Sequence, residues 1–264
     1  MADKLAKKHA WLLLPAVLAV AIGTYAALIS LGVVDNPKEA KTTPTTTQTT
    51  TQTTTQTDTE PATLTGIAAE IARGETRNLS FGGYTWRVLD VQGDRALLLT
   101  EEIIEQRPYN EEKADVTWKT CTLRAYLNGA FLESFSAEER AMILETTNAN
   151  SDNQWFGTSG GGSTRDKVFL LSLAEVVKYF GDSGLLKNPK SDDLLDMDFI
   201  DDQYNQERRM EFNGDSCRWW LRSPGDYQHQ AATVDYSGSI NVSGGYVDGS
   251  IGTICLRPAL WVRL

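Results

Sequence analysis

Hydrophobic and polar positions divide the chain into three stretches of different character. Residues 10–34 form a 25-residue run without a charge. A helix of that length, rising about 1.5 Å per residue, exceeds a hydrocarbon core of about 30 Å. Residues 42–59 then hold 13 Thr in 18 positions, with no apolar side chain beyond Pro44. Such a tract buries too little surface to offset its ordering entropy, and it reads as a disordered stalk. Past residue 63, short apolar runs alternate with polar turns, the pattern of a folded domain.

Within that last stretch the period of the pattern predicts the elements. Residues 64–73 read as a short helix. Residues 84–91 alternate with period two, and Gln92-Gly93-Asp94-Arg95 separates them from an apolar run at 96–100, which predicts a β-hairpin. Residues 122–128 read as a helix stopped by Gly129. Ser136-Ala137-Glu138-Glu139 and Ser172-Leu173-Ala174-Glu175 have capping-box spacing and open helices that run towards Leu144 and Tyr179. Between them lie a polar loop at 148–164 and an apolar strand at 168–171. Residues 191–209, acidic and then basic, read as an insertion. Further strands are expected at 219–222, 231–236, 239–242 and 255–262. Strands, then helices, then strands make an α+β domain and not a series of βαβ units.

Charge and rare residues narrow the chemistry. Residues 1–41 carry five Lys against two Asp and one Glu, so the remainder carries −12 of the total −10. An acidic domain of this kind is a poor partner for nucleic acid phosphates. Lys4, Lys7 and Lys8 precede the apolar run and favour a cytoplasmic N-terminus, with Lys38 and Lys41 opposing them on the far side. A cleaved signal peptide is the rival reading, but its apolar region is shorter, about 7–15 residues. The chain thus divides into a cytoplasmic tail (1–9), a transmembrane anchor (10–34), a Thr/Gln-rich linker (35–63) and an extracytoplasmic domain (64–264).

No cofactor is expected. Gly160-Gly161-Gly162-Ser163-Thr164-Arg165-Asp166-Lys167 lacks the Gly-Lys-Ser/Thr ending of a phosphate loop. The carboxylates Asp192, Asp193, Asp196, Asp198, Asp201 and Asp202 have no Gly nearby to turn them onto one calcium ion, and they read as a solvated face. His9 and His229 are the only histidines, which leaves little for a His-based zinc site or a Ser-His-Asp triad. Cys121, Cys217 and Cys255 allow either one bridge, Cys217 to Cys255, with a third thiol free, or three small buried thiols. Arg222 and Arg257 each sit in an apolar strand, where a guanidinium needs carboxylate or carbonyl partners; structural pairing and ligand contact are the two roles open to them.

The segment at 226–250 differs from its surroundings. It holds 12 Ser, Gly, Tyr or Asn in 25 residues and no Lys, Arg, Glu, Leu, Phe, Trp or Met. That composition does not fill a core, but it suits a binding face, where Tyr supplies contact area and Ser, Gly and Asn supply adaptable hydrogen bonds. Ordinary turns between short strands are the plainer alternative. The candidate ligand-binding residues are Tyr227, His229, Asp235, Tyr236, Ser239, Asn241, Tyr246 and Asp248.

Two blocks bracket this segment: Trp219-Trp220-Leu221-Arg222-Ser223-Pro224-Gly225 and Leu256-Arg257-Pro258-Ala259-Leu260. Together with 83–89, 117–128 and 168–172, they resemble the signature segments of a family of uncharacterised bacterial surface domains, over about residues 75–264. Members of that family are similar to the C-type-lectin fold. Some resemble the variable proteins of diversity-generating retroelements, which bind ligands through a C-terminal variable region. Mutated adenine-rich codons there yield Asn, Asp, Ser, Tyr, Gly and His, the types abundant at 226–250. Cys121 departs from the Ser more usual in the family. The Glu-Pro-Asn, Gln-Pro-Asp and Trp-Asn-Asp triplets of calcium-dependent sugar binders are absent, so the resemblance does not imply sugar binding. It implies a C-type-lectin-like domain that binds an extracellular protein or surface ligand, as an adhesin or receptor does. The alternative is an envelope enzyme on the same fold, such as an oxidase of the formylglycine-generating kind using Cys217 or Cys255.

Overall fold

The computed structural model describes residues 77–189, 198–250 and 254–264, together with Ile71 and Gly252. The tail, anchor and linker expected at 1–63 and the helix expected at 64–73 fall outside the described residues, Ile71 excepted. No helix among the described residues is long and apolar enough to cross a membrane.

Leu97, Leu98 and Leu99 form the middle of β3 (Arg95–Thr100), and every position from Ala96 to Thr100 is buried. A strand buried along its whole length has no water for its backbone N–H and C=O groups and pairs on both edges. β3 finds them in β2 (Tyr84–Gln92) and in β16 (Ala259–Arg263), the last strand of the chain. β2 and β3 form the expected hairpin, in register from Trp86 opposite Thr100 to Gln92 opposite Arg95, with one irregularity between Val88 and Asp90. β1 (Asn78–Phe81) closes one edge of this sheet. β5 (Ile143–Leu144) and β8 (Val168–Phe169) share the outer edge of β16.

A second sheet runs β4 (Glu105–Gln106), β15 (Cys255–Leu256), β12 (Trp219–Pro224), β13 (Gln230–Val234), β14 (Ile240–Tyr246) and β9 (Phe199–Ile200). Only the β12–β15 contact in it is parallel. Two ribbons complete the described strands: β6 (Thr146–Asn148) with β7 (Thr164–Asp166), and β10 (Met210–Phe212) with β11 (Asp215–Cys217).

The helices are few and short. α1 (Thr122–Tyr126) is capped by the Cys121 sulfur, which accepts from the Arg124 backbone at 3.5 Å. Gly129 interrupts it, as expected. The chain continues through a wide turn at Leu127–Phe131, where Gly129 (φ −113°, ψ −107°) makes a kink. α2 (Ala137–Met142) and α3 (Leu173–Phe180) each begin with a complete capping box, closed by Ser136 with Glu139 and by Ser172 with Glu175. α2 gives way at Ile143 to β5, two residues short of the expected end. The domain is therefore α+β, mostly sheet with few helices.

Two expectations need correction. Residues 191–209 are not a mere insertion, although 190–197 lie outside the described residues. Their C-terminal part forms α4 (Asn205–Arg208), and Arg208 is wholly buried. Its Nε donates to the Gly238 carbonyl at 2.9 Å, and its guanidinium pairs with Asp202, whose side chain is 2% exposed. Nor is 226–250 excluded from the core. Ala231, Ala232, Thr233, Val234, Ile240, Val242 and Val247 are all buried. Small side chains fill the interior where flanking segments cover both faces of the sheet.

Tryptophans centre the core. Trp86, Trp118, Trp219 and Trp220 are fully enclosed, and Trp261 is 8% exposed. Each enclosed indole N–H has an acceptor: Phe81 O, Asp166 Oδ2, Arg208 O and Arg107 O respectively, at 2.8–3.0 Å. The three cysteines are buried and unbridged.

Trp220→Ala should cost about 3–5 kcal/mol, because it opens a large void beside Tyr109 and frees the Arg107 carbonyl. Chemical denaturation of the purified domain checks this, and a stability equal to that of the parent would contradict the packing. A second outcome concerns Asp202. Burial alone would raise its pKa, but hydrogen bonds from Ser183, Arg208 and the Tyr204 backbone outweigh that and hold it below the usual carboxylate value. A lowered folded-state pKa gives stability that is present above the unfolded value, about 3.9, and lost as pH falls through the folded one. Melting temperature should drop in that acidic window. Asp202→Ala should lower stability at neutral pH by about 3–5 kcal/mol by stranding Arg208, and should flatten the acid limb of the curve.

Candidate functional site

Strand pairing sets three of the eight candidate residues side by side. Gln230 lies opposite Tyr246 in the β13–β14 pair, and the Val247 backbone donates to the His229 carbonyl at 3.1 Å. The rings of Tyr227, His229 and Tyr246 consequently stack in a ladder. His229 lies 5.6 Å from Tyr227 at an interplanar angle of 14°, and 5.6 Å from Tyr246 at 9°. Near-parallel rings at this spacing meet in offset stacking. Tyr227 ends the ladder and is 61% exposed. At the other end the Lys113 ammonium stands 4.2 Å above the Tyr246 ring, and Asp115 Oδ1 is 3.4 Å from His229 Nδ1.

Two loops, 110–117 and 149–163, hold this end of the sheet in place. Asn110 N–H donates to the Val247 carbonyl at 2.8 Å, and Val116 exchanges hydrogen bonds with Gln228 at 3.1 and 2.8 Å. The Gln228 amide also reaches the Ser159 carbonyl at 3.1 Å, and Thr158 Oγ1 donates to the Asp226 carbonyl at 2.6 Å. Asn153, 2% exposed, gives its amide hydrogens to the carbonyls of Pro224, Gly225 and Val242 at 2.9–3.2 Å. The ladder therefore stands on a braced rim, which lowers the entropy a ligand must remove on binding.

Carboxylates surround the rings. Burial pushes the Asp226 carboxyl up, and its Oδ1 is enclosed without a hydrogen-bond partner. Burial would raise Asp248 also, but hydrogen bonds from Ser250 prevail and hold its carboxyl below the usual range.

The other candidates do not join this group. Asp235, Tyr236 and Ser239 lie at the turn between β13 and β14, the far end of the hairpin. That turn is docked on α4, where a Cβ on Gly238 (φ +88°) would stand 1.9 Å from the Asn205 carbonyl oxygen. Ser239 is only 6% exposed, with its hydroxyl 2.9 Å from that of Ser237. Asn241 is spent on the backbone: its Oδ1 accepts from Gly244 N and Ser243 Oγ, both at 2.8 Å. Tyr236 is 47% exposed, with the Arg218 guanidinium 5.3 Å from its ring. The expected single face is thus two separate ends, and Ser239 and Asn241 are structural. Sequence reasoning also missed Lys113 and Asp115. The signal for them was the charged run 111–115 between two aromatics, Tyr109 and Trp118.

Arg222 and Arg257 are both structural. Arg222 pairs with Glu175 and donates to the Leu170 carbonyl at 2.7 Å. Arg222 and Glu175 lie at a cavity of about 390 Å³ also lined by Arg95, Ser172, Ser223 and Trp261, where their charges are used up on each other. Arg257 donates through Nε to the Thr100 carbonyl at 2.9 Å, and lies 5.3–5.4 Å from the ring centres of Trp219 and Phe180. Burial draws its pKa down to about 9, which leaves it charged at neutral pH. Burial lifts the Cys121 thiol to about 12. Cys217 and Cys255 interact with each other; a hydrogen bond to Cys255 raises the Cys217 thiol. Among the described residues no group of three or more His, Cys, Asp or Glu side chains is arranged to hold a metal ion.

A mixed α+β domain closed by its own C-terminal strand, with stacked rings at one rim, is the class this geometry defines. Residues 93–264, more than half of the chain, match the model of a family described as a domain of unknown function, DUF6273, and the chain belongs to that family. No curated protein and no solved structure matches the chain.

Asn241→Ala should destabilise the domain by about 1–3 kcal/mol by leaving the Gly244 N–H without its acceptor, whereas Tyr227→Ala should change stability by less than about 0.5 kcal/mol. Thermal melts of the two variants check this directly, and the reverse order would place Asn241 on a free surface.

Proposed function

We propose that the chain is a membrane-anchored, extracytoplasmic ligand-binding module of the adhesin or receptor type, and not an enzyme. In this reading residues 10–34 are the anchor, the Thr-rich tract is the stalk, and the folded part is C-type-lectin-like. The Tyr227–His229–Tyr246 ladder is the observation that carries it. Rings that pack onto each other at a rim, away from the core, add little to folding. They present rigid, amphipathic area of the kind found at binding hot spots. The blocks shared with bacterial surface domains and the uncharged run support the location. The oxidase alternative needs an accessible, ionisable thiol, and Cys217 and Cys255 are 5% and 0% exposed.

Protease added to intact cells should release the folded domain, and full-length protein recovered from a soluble cytoplasmic fraction would overturn the location. For the binding face, cells displaying the chain should adhere to their natural surface less well after Tyr246→Ala than after Ser239→Ala, by about tenfold or more in affinity. Unchanged adhesion in both variants, with folding intact, would move the binding site elsewhere.

A further inference from the structure

Resting on the reading of the ladder as the binding face, we infer that its occupant is a protein segment that lays a cationic side chain, arginine or lysine, on the outer face of Tyr227. The ladder has two ends, and the domain fills one of them itself. At the Tyr246 end a cation, the Lys113 ammonium, sits 4.2 Å above the ring. Ring faces carry negative quadrupole potential, so that end is already satisfied. The Tyr227 end offers the same kind of ring. One face is covered by His229, and the residue as a whole is 61% exposed.

The surrounding charges select the sign of the ligand. Asp115 contacts His229 at 3.4 Å with a side chain 75% exposed. Asp226, next in sequence to Tyr227, acts electrostatically on His229, and Asp248 acts on Lys113. Glu111 and Glu112 are exposed on the loop that carries Lys113 and Asp115. Asp115, by contact, and Asp226 and Asp248, through their charge, thus act on His229 or on the one ammonium at the ladder, in a chain whose residues 42–264 carry −12. An anionic ligand would meet repulsion from this rim. A neutral aromatic would gain the ring face but nothing from the carboxylates. A guanidinium or ammonium gains both, and an acidic surface also speeds its encounter.

The test uses the full-length protein in a detergent with an uncharged headgroup. A fluorescently labelled arginine-rich peptide and the same peptide with glutamate in place of arginine are titrated by anisotropy. The arginine peptide should bind and the glutamate peptide should not. Tyr227→Phe should keep the affinity. Tyr227→Leu, which removes the π face and leaves the charge unchanged, should weaken it by roughly two- to five-fold. Asp115→Asn should weaken it as well and lessen its dependence on salt. Thermal melts confirm that each variant is folded. Equal binding by Tyr227→Leu and the parent, tighter binding of the glutamate peptide, or no binding of either peptide would each overturn the inference. Tyr246-dependent adhesion to the natural surface, measured separately, would still stand in those cases, so failure here is distinct from failure of the binding reading.

Discussion

A single guanidinium occupies the place where the two sheets become one domain. The chain crosses from the first sheet to the second between β3 and β4, and crosses back between β15 and β16. Arg257 lies in the return crossing and holds the outward one through the Thr100 carbonyl. Two backbone bonds tie the crossings to each other: Thr100 N–H to the Pro258 carbonyl at 3.0 Å, and Ile104 N–H to the Leu256 carbonyl at 3.1 Å. The terminal nitrogens of Arg257 have no hydrogen-bond partner in this enclosure. A buried charge without hydrogen-bond partners is costly, and here the faces of Phe180 and Trp219, with the charge of Glu101 beyond them, offset it. Those rings come from α3 and β12, so the last strand, the helix and the second sheet must all be placed before the charge is accommodated.

That constraint reaches the rim. β12 is fixed against β15 on one side, and its other edge receives β13, which in turn receives β14. The stacked rings stand at the end of that hairpin farthest from its turn. Their spacing is therefore inherited from strand register, with the loops at 110–117 and 149–163 pinning the approach. The ladder is positioned by backbone pairing and not by the side chains that form it. Tyr227 can therefore stand in the open while the frame around it remains packed.

How much of this was legible in the sequence follows the range of the interactions. The β2–β3 hairpin and both capping boxes were readable because each is settled within a few residues. Tryptophan size and apolar context match the burial of Trp86, Trp118, Trp219 and Trp220. Gly129 was readable as a break because a glycine gives the backbone its non-helical kink; that a helical turn resumes beyond it follows from Phe131 and Leu132 packing onto the core. Arg208 was hidden because a charged residue in a charged run gives no local sign of burial; its partners are Asp202 and, 30 positions on, the carbonyl of Gly238. The candidate binding residues were read as one face because 226–250 has one composition. Its two ends do different work, since only a helix distant in sequence decides that the turn at 235–239 is covered. Lys113 and Asp115 approach the ladder through the long-range pairing of Val116 with Gln228, which no local pattern encodes.

The packing of Gly238 beneath α4 carries a consequence for how this domain can change over generations. With no room for a Cβ there, and with Ser239 and Asn241 already committed to their neighbours, drift at that end of the hairpin meets purifying selection on foldability. Tyr227 is 61% exposed and placed by its main chain, so its side chain is freer to be exchanged. The hairpin thus has one end frozen by the scaffold and one end where a side chain can be exchanged without renegotiating the fold.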